Sequence, residues 1–155
     1  MRSVCFTGHR KITVTQELKR RLYIELEQLV KNGVTDFYVG GAICFDTFAE
    51  QTVTELKKSY PQVRLNLVLP CPTEQQTPKW SEEDKTEYFR LLSFADSIEI
   101  CCEHYTADCM KKRNQRLVDL ADICVCYFNS SNDRSGTGQT VRMVQRKGIP
   151  IINLF

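Results

Sequence analysis

Hydrophobic residues along this chain alternate between two kinds of segment. Short, nearly continuous apolar runs occupy positions 3–6, 36–39, 63–69, 97–101, 123–128 and 149–154. Runs of that length without strict alternation predict strands covered on both faces, as in a parallel sheet. Between them the spacing becomes helical. Over 15–31, Leu18, Leu22, Leu26, Leu29 and Val30 make one stripe, with Gly33 as a stop. Over 45–59 the stripe is Phe45, Phe48, Ala49, Thr52, Val53 and Leu56. Further helices are predicted over 81–95, 107–121 and 137–147, the last closed by Gly148 and Pro150. Strands alternating with helices predict an α/β fold: a single Rossmann-like domain over 1–155, with a mostly parallel sheet and helices on both faces. One long loop is expected, 70–79, holding Pro70, Pro72 and Pro78.

Three glycine-bearing turns punctuate this pattern. Thr7-Gly8-His9-Arg10 follows the first strand and Gly40-Gly41-Ala42 the second. Ser135-Gly136-Thr137-Gly138-Gln139-Thr140 follows the fifth after a short polar loop. Each precedes a predicted helix. Helix N-termini leave N–H groups unpaired and carry partial positive charge, so they attract anions. In open α/β sheets ligands bind beyond the carboxyl ends of the strands, where strand order reverses. The three turns are therefore expected on one rim, cradling a phosphate-bearing ligand. No G-x-G-x-x-G follows the first strand and no G-x-x-x-x-G-K-[ST] occurs, which argues against a standard NAD site and a P-loop NTPase.

Composition narrows the class. A length of 155 residues fits one domain, and 42% hydrophobic with 26% charged residues is ordinary for a soluble protein. No apolar run approaches the roughly 18 residues of a membrane span, and the N-terminal residues lack a secretory apolar region. A net charge of +2 offers no basic track, so neither nucleic acid nor a membrane is an expected partner. The chain has eight cysteines and two histidines but no C-x-x-C pair, so no metal site is expected. Cys124 and Cys126, two apart in a strand, share a face. The cysteines read as buried thiols in a reducing, cytoplasmic setting.

Several polar residues interrupt the apolar stripes or, like Asp46 and Glu50, sit beside them. Asp46 and Glu50 stack at i, i+4 in the helix after Gly40-Gly41. They either complement the helix dipole or serve a ribose hydroxyl, a base edge or acid–base chemistry. The stripe of the 107–121 helix reads Met110, Arg113, Asn114, Leu117, Val118 and Ala121. Arginine and asparagine are costly on a buried face unless hydrogen-bonded, so ligand contact competes with a structural role. The 81–95 stripe combines Trp80, Asp84, Tyr88, Leu91, Leu92 and Ala95; Trp80 is either core or a stacking lid over a base. His9 and Arg10 follow Gly8 directly, and the arginine fork suits phosphate. Lys111-Lys112-Arg113 with Arg116 reads as a solvated helix face.

Taken together, these residues resemble the YpsA-like branch of the SLOG superfamily, the Rossmann-like group joining the DNA-processing protein A and LOG-type enzymes. The resemblance rests on Thr7-Gly8-His9-Arg10, Gly40-Gly41-Ala42 with Phe45-Asp46, and Cys71-Pro72 with Gln76, Trp80, Asp84 and Tyr88. It continues through Tyr105, Met110, Arg113-Asn114, Val118-Asp119, Ser135-Gly136-Thr137 with Thr140-Val141, and Pro150-Ile151-Ile152. It implies a bacterial protein that binds or senses a nucleotide or nucleotide-derived ligand, ADP-ribose-like molecules included, with no other cofactor assigned and with room for a homodimer. LOG-type phosphoribohydrolases carry P-G-G-x-G-T-x-x-E, and aligning Gly136-Thr137 with that G-T puts Thr140 at the glutamate. Threonine supplies no carboxylate, so the resemblance implies binding rather than catalysis. The alternative, N-glycosidic hydrolysis of a nucleoside monophosphate, needs Asp46, Glu50 or Asp84 as the substitute.

Overall fold

A computed structural model describes residues 2–155. Its strands are β1 (Ser3–Gly8), β2 (Asp36–Val39), β3 (Arg64–Leu69), β4 (Ser97–Ile100), β5 (Ile123–Tyr127) and β6 (Ile151–Asn153). Its helices are α1 (Gln16–Lys31), α2 (Phe45–Ser59), α3 (Thr73–Gln76), α4 (Glu82–Leu92), α5 (Cys109–Leu120) and α6 (Gly136–Lys147), with a 3-10 turn at Ser130–Asn132. All strand pairings are parallel, in the order β4-β3-β2-β1-β5-β6. From β1 the chain steps outward to β4, then returns through α5 to place β5 on the other side of β1. The strand order reverses between β1 and β5.

Two cores flank the sheet. On one face, Leu18, Leu22 and Leu26 of α1 and Phe45, Ala49 and Val53 of α2 pack on Phe6, Phe37 and Leu67. On the other, Leu117 and Val118 of α5 and Val141 and Val144 of α6 pack on Cys5, Val68 and Cys124. The central strands are covered on both faces, which is why their sequences read as unbroken apolar runs. Cys124 and Cys126 do share a face, together with Cys5, and all eight cysteines are free. Caps set the helix ends: the Thr15, Ser81 and Ser135 side chains accept from backbone N–H groups three residues on. Gly148 adopts the left-handed conformation that closes α6.

Three expectations change. The 70–79 segment is not all loop, since α3 lies within it. β4 is exposed along its whole length because it is the sheet edge and α4 stops at Leu92. Asp84 is exposed and does not belong to the inward stripe; its N–H donates to the Ser81 cap (3.1 Å). Among the described residues, no helix is long and apolar enough to cross a membrane.

Candidate functional site

The reversal of strand order leaves a crevice between the loops leaving β1 and β5, and a cavity of about 700 Å³ opens there. That volume suits a small organic ligand. The loop after β1 contributes Gly8, His9, Arg10, Lys11 and Ile12. The loop after β5 contributes Asn129, Asn132 and Ser135, and α6 begins at the cavity with Gly136 and Thr137. Ala42 and Asp46 close it on the α2 side, and Met110, Arg113, Asn114 and Leu117 of α5 form the floor. Tyr127 and Phe155, from the ends of β5 and β6, complete it.

Local chemistry explains each position. Ser135 Oγ accepts from Gly138 N (3.0 Å), while the N–H groups of Gly136 and Thr137, in the same first turn, remain available to an anion. His9 Nε2 accepts from Asn129 N (3.0 Å), tying the β1 loop to the β5 loop; its other ring nitrogen then carries the proton. Arg10 is exposed at the mouth.

Below the mouth lie two buried charged residues. Asp46 is 7% exposed and Arg113 5% exposed. Ala42 N donates to Asp46 Oδ2 (3.1 Å), while Oδ1 has no protein donor. Because no sealed side-chain oxygen lacks a partner among the described residues, this oxygen faces the cavity. Burial raises the Asp46 pKa above the usual carboxylate range, opposed by the nearby Arg113 charge, the Ala42 amide and Arg10. Arg113 is held by the Gly40 carbonyl, by Asn114 Oδ1 (2.8 Å from Nε) and by Met110 Sδ (3.7 Å from Nη2). Its burial is therefore compensated, and it bridges α5 to the β2–α2 turn while still lining the cavity. Asn114 spends its oxygen on Arg113, which leaves its amide N–H groups for the cavity.

Of the residues singled out from sequence, Thr7, Gly8, His9, Arg10, Asp46, Arg113, Asn114, Ser135, Gly136 and Thr137 meet around this cavity. Six others do not line it. A Cβ on Gly40 would lie 2.7 Å from Arg113 Nη1, and one on Gly41 2.5 Å from Leu69 Cδ2. These two glycines are where the chain packs against its own arginine and core, with Gly41 also at φ +70°, so they shape the site from behind. Gly138 is buried under the Asp133 carbonyl. Thr140 is 0% exposed and its hydroxyl donates back to the Gly136 carbonyl (3.0 Å).

Trp80 packs edge-on against Tyr88 (5.3 Å between ring centroids) on the α4 side of the sheet, so it is not a lid over this cavity. Glu50 is 2% exposed. Burial, then the like charges of Asp46 and Glu87, push its pKa well above the ordinary carboxylate value. Its neighbours make it a core acid beside Tyr88 rather than a cavity residue. Sequence reasoning passed over Lys11, Asn129, Asn132, Tyr127 and Phe155. The pair of asparagines in the polar stretch after β5 was a usable signal; the two aromatics carried none beyond apolarity.

A doubly covered parallel sheet with its cavity at the strand-order reversal defines a Rossmann-like α/β protein. The chain belongs to the YpsA family, whose profile, described as "YspA SLOG family", matches residues 5–150. It is 29% identical over 134 residues to the uncharacterized SPbeta prophage-derived protein YoqJ of Bacillus subtilis, covering 78% of this chain and 76% of that one. A UPF0398 protein of Brevibacillus brevis is 30% identical over 120 residues, covering 76% of this chain and 63% of the relative. A UPF0398 protein of Staphylococcus epidermidis is 22% identical over 120 residues with the same coverage, so the chain spans under two thirds of those relatives' length. In three dimensions it resembles DNA processing protein A from Helicobacter pylori, a structure described for its single-stranded DNA binding mode. That match has a TM-score of 0.69 and 18% identity, and covers 98% of this chain and 64% of the other.

Proposed function

We propose that this protein binds or senses a nucleotide or nucleotide-derived ligand, an ADP-ribose-like molecule included, in the rim cavity. The observation that carries the reading is the convergence of the open α6 N-terminus, the Arg10 guanidinium and the cavity-facing Asp46 oxygen in one cavity of about 700 Å³. Phosphate matches the N–H groups and the planar arginine fork. A ribose hydroxyl matches the buried carboxylate. Eight free cysteines favour a cytoplasmic, reducing setting.

A thermal-shift screen of the full chain against nucleoside mono- and diphosphates, cyclic nucleotides and ADP-ribose derivatives tests this. A ligand at about 100 times its Kd adds roughly 2.7 kcal/mol. Gly136→Val should abolish the shift with the fold retained. Its effect comes from bulk at the cavity wall and not from backbone strain, since Gly33, Gly41 and Gly148 are the glycines with positive φ. No stabilisation by any of these ligands would refute the reading. Oligonucleotide binding that weakens steeply with salt would instead favour a single-stranded DNA partner, the ligand named for the Helicobacter protein.

Hydrolysis of an N-glycosidic bond is the second reading, favoured by one observation: Asp46 is a buried, cavity-facing acid with a raised pKa. Thr140 neither lines the cavity nor carries a carboxylate, so we expect no release of base from nucleoside monophosphates. Turnover that is lost in Asp46→Asn would establish the hydrolase instead.

A further inference from the structure

Phe155 is 62% exposed, yet the backbone leading into it is held. Leu154 N donates to Cys126 O (2.8 Å), Arg21 Nη1 donates to Leu154 O (3.0 Å), and Phe155 N donates to Asn153 Oδ1 (3.1 Å). The same Asn153 amide exchanges bonds with the Phe128 backbone, donating to its carbonyl (2.9 Å) and accepting from its N–H (3.0 Å). The Phe155 ring meets Tyr127 edge-on, with centroids 5.6 Å apart at 88°, and Tyr127 in turn leans on buried Phe45 at 6.3 Å. Both Tyr127 and Phe155 line the rim cavity, with Ile12 beside them. A large aromatic residue is thus tethered at the cavity and left mostly uncovered by the other described residues.

This aromatic wall comes from the ends of β5 and β6. The carboxylate of Asp46 lies on the opposite side of β1, where α2 begins, and α6 starts at the same crevice with its N–H groups open. The cavity therefore has an anion-attracting start of a 12-residue helix, a buried acid at its lining and an exposed aromatic ring braced edge-on by a second one. Inorganic phosphate uses the first of these and a sugar phosphate the first two. Only a ligand with an aromatic base uses all three.

We propose that Tyr127 and Phe155 form a base-stacking wall, so that the ligand is a nucleoside phosphate recognised through its base and not a sugar phosphate or a free anion. The proposal rests on the nucleotide reading above and makes it specific. Stacking on an aromatic side chain accepts any base because every base offers a π-face, and the wall carries no hydrogen-bonding group except the Tyr127 hydroxyl. Discrimination among bases is accordingly weak.

Titration calorimetry on the full chain with AMP, GMP, CMP, UMP and ribose 5-phosphate tests it, using wild type, Phe155→Ala and Phe155→Tyr. The tightest of the four nucleotides is expected to bind roughly ten-fold or more tighter than ribose 5-phosphate, the usual scale of base–aromatic stacking. Phe155→Ala should erase most of that advantage while leaving ribose 5-phosphate affinity and the melting temperature near wild type, and Phe155→Tyr should restore it. Equal binding of ribose 5-phosphate and all four nucleotides overturns the wall and leaves the phosphate site standing. So does an unchanged ratio in Phe155→Ala, or an equal loss for both ligand types. If none of the five binds, the wall falls, while the nucleotide reading is decided by the wider thermal-shift screen with diphosphates, cyclic nucleotides and ADP-ribose derivatives.

Discussion

Two glycines in the first turn of α6 give a prediction in which helix propensity and packing disagree. Gly138 lies inside the helix, where glycine is about 0.8–1.0 kcal/mol worse than alanine by propensity alone. On that ground Gly138→Ala would stabilise. In the structure, however, an added Cβ would sit 2.0 Å from the Asp133 carbonyl oxygen and 2.7 Å from its carbon. Restoring even a tight 3.0 Å contact requires backbone to retreat by about 1 Å, and that carbonyl is also held by Arg142 Nη1 at 2.8 Å. Overpacking of this kind costs about 1–3 kcal/mol, so the net expectation is a loss of that order. Gly136, two residues earlier, has nothing within 4 Å of its Cβ position and no positive φ. Gly136→Ala should therefore stabilise by about 0.4–1 kcal/mol through the unfolded chain. Urea unfolding of the two variants and wild type measures both. The substituted Gly138 chain should also bind ligand poorly, because the displaced 129–135 loop carries Asn129, Asn132 and Ser135 of the cavity. A Gly138→Ala protein as stable as the Gly136→Ala one would refute the reasoning.

Two other expectations follow from strain and from burial. Cys44 adopts φ +65°, ψ −102° just before α2, a conformation suited to glycine. Cys44→Gly should raise stability by about 1 kcal/mol in urea unfolding, and a loss would show that the Cys44 thiol contact with the Ile12 carbonyl outweighs the strain. Glu50 keeps its proton to higher pH in the folded chain than in the unfolded one, because burial raises its pKa above the ordinary 4.5. The stability it supplies is complete below about pH 4.5 and falls as pH rises above that value. Glu50→Gln should therefore match wild type near pH 4 and exceed it at pH 8, on the scale of 1 kcal/mol set by about one buried polar group. An equal difference at both pH values would contradict the assignment.

The apolar runs and helical stripes carried the architecture, because a strand buried on both faces and an amphipathic helix leave distinct periods in any chain. Strand positions 36–39 coincide with β2, and the stripe through Leu18, Leu22 and Leu26 lies in the core. Glycine turns after strands likewise pointed to the rim, since parallel strands place every carboxyl end on one side. What local pattern does not encode is which rim loops meet. That depends on the strand order, and only the return of β5 to β1 brings the Gly8 and Gly136 loops together while turning Gly40 and Gly41 toward Arg113 and Leu69. The same limit explains the polar residues. Arg113, Asn114 and Asp84 interrupt apolar stripes and Asp46 and Glu50 sit beside one, yet packing separates them. Arg113, Asn114 and Asp46 border the cavity, Glu50 is buried away from it, and Asp84 is in water. The aromatic wall was wholly a product of tertiary structure, because Tyr127 ends β5 and Phe155 lies two residues beyond β6, and they meet only when those strands pair.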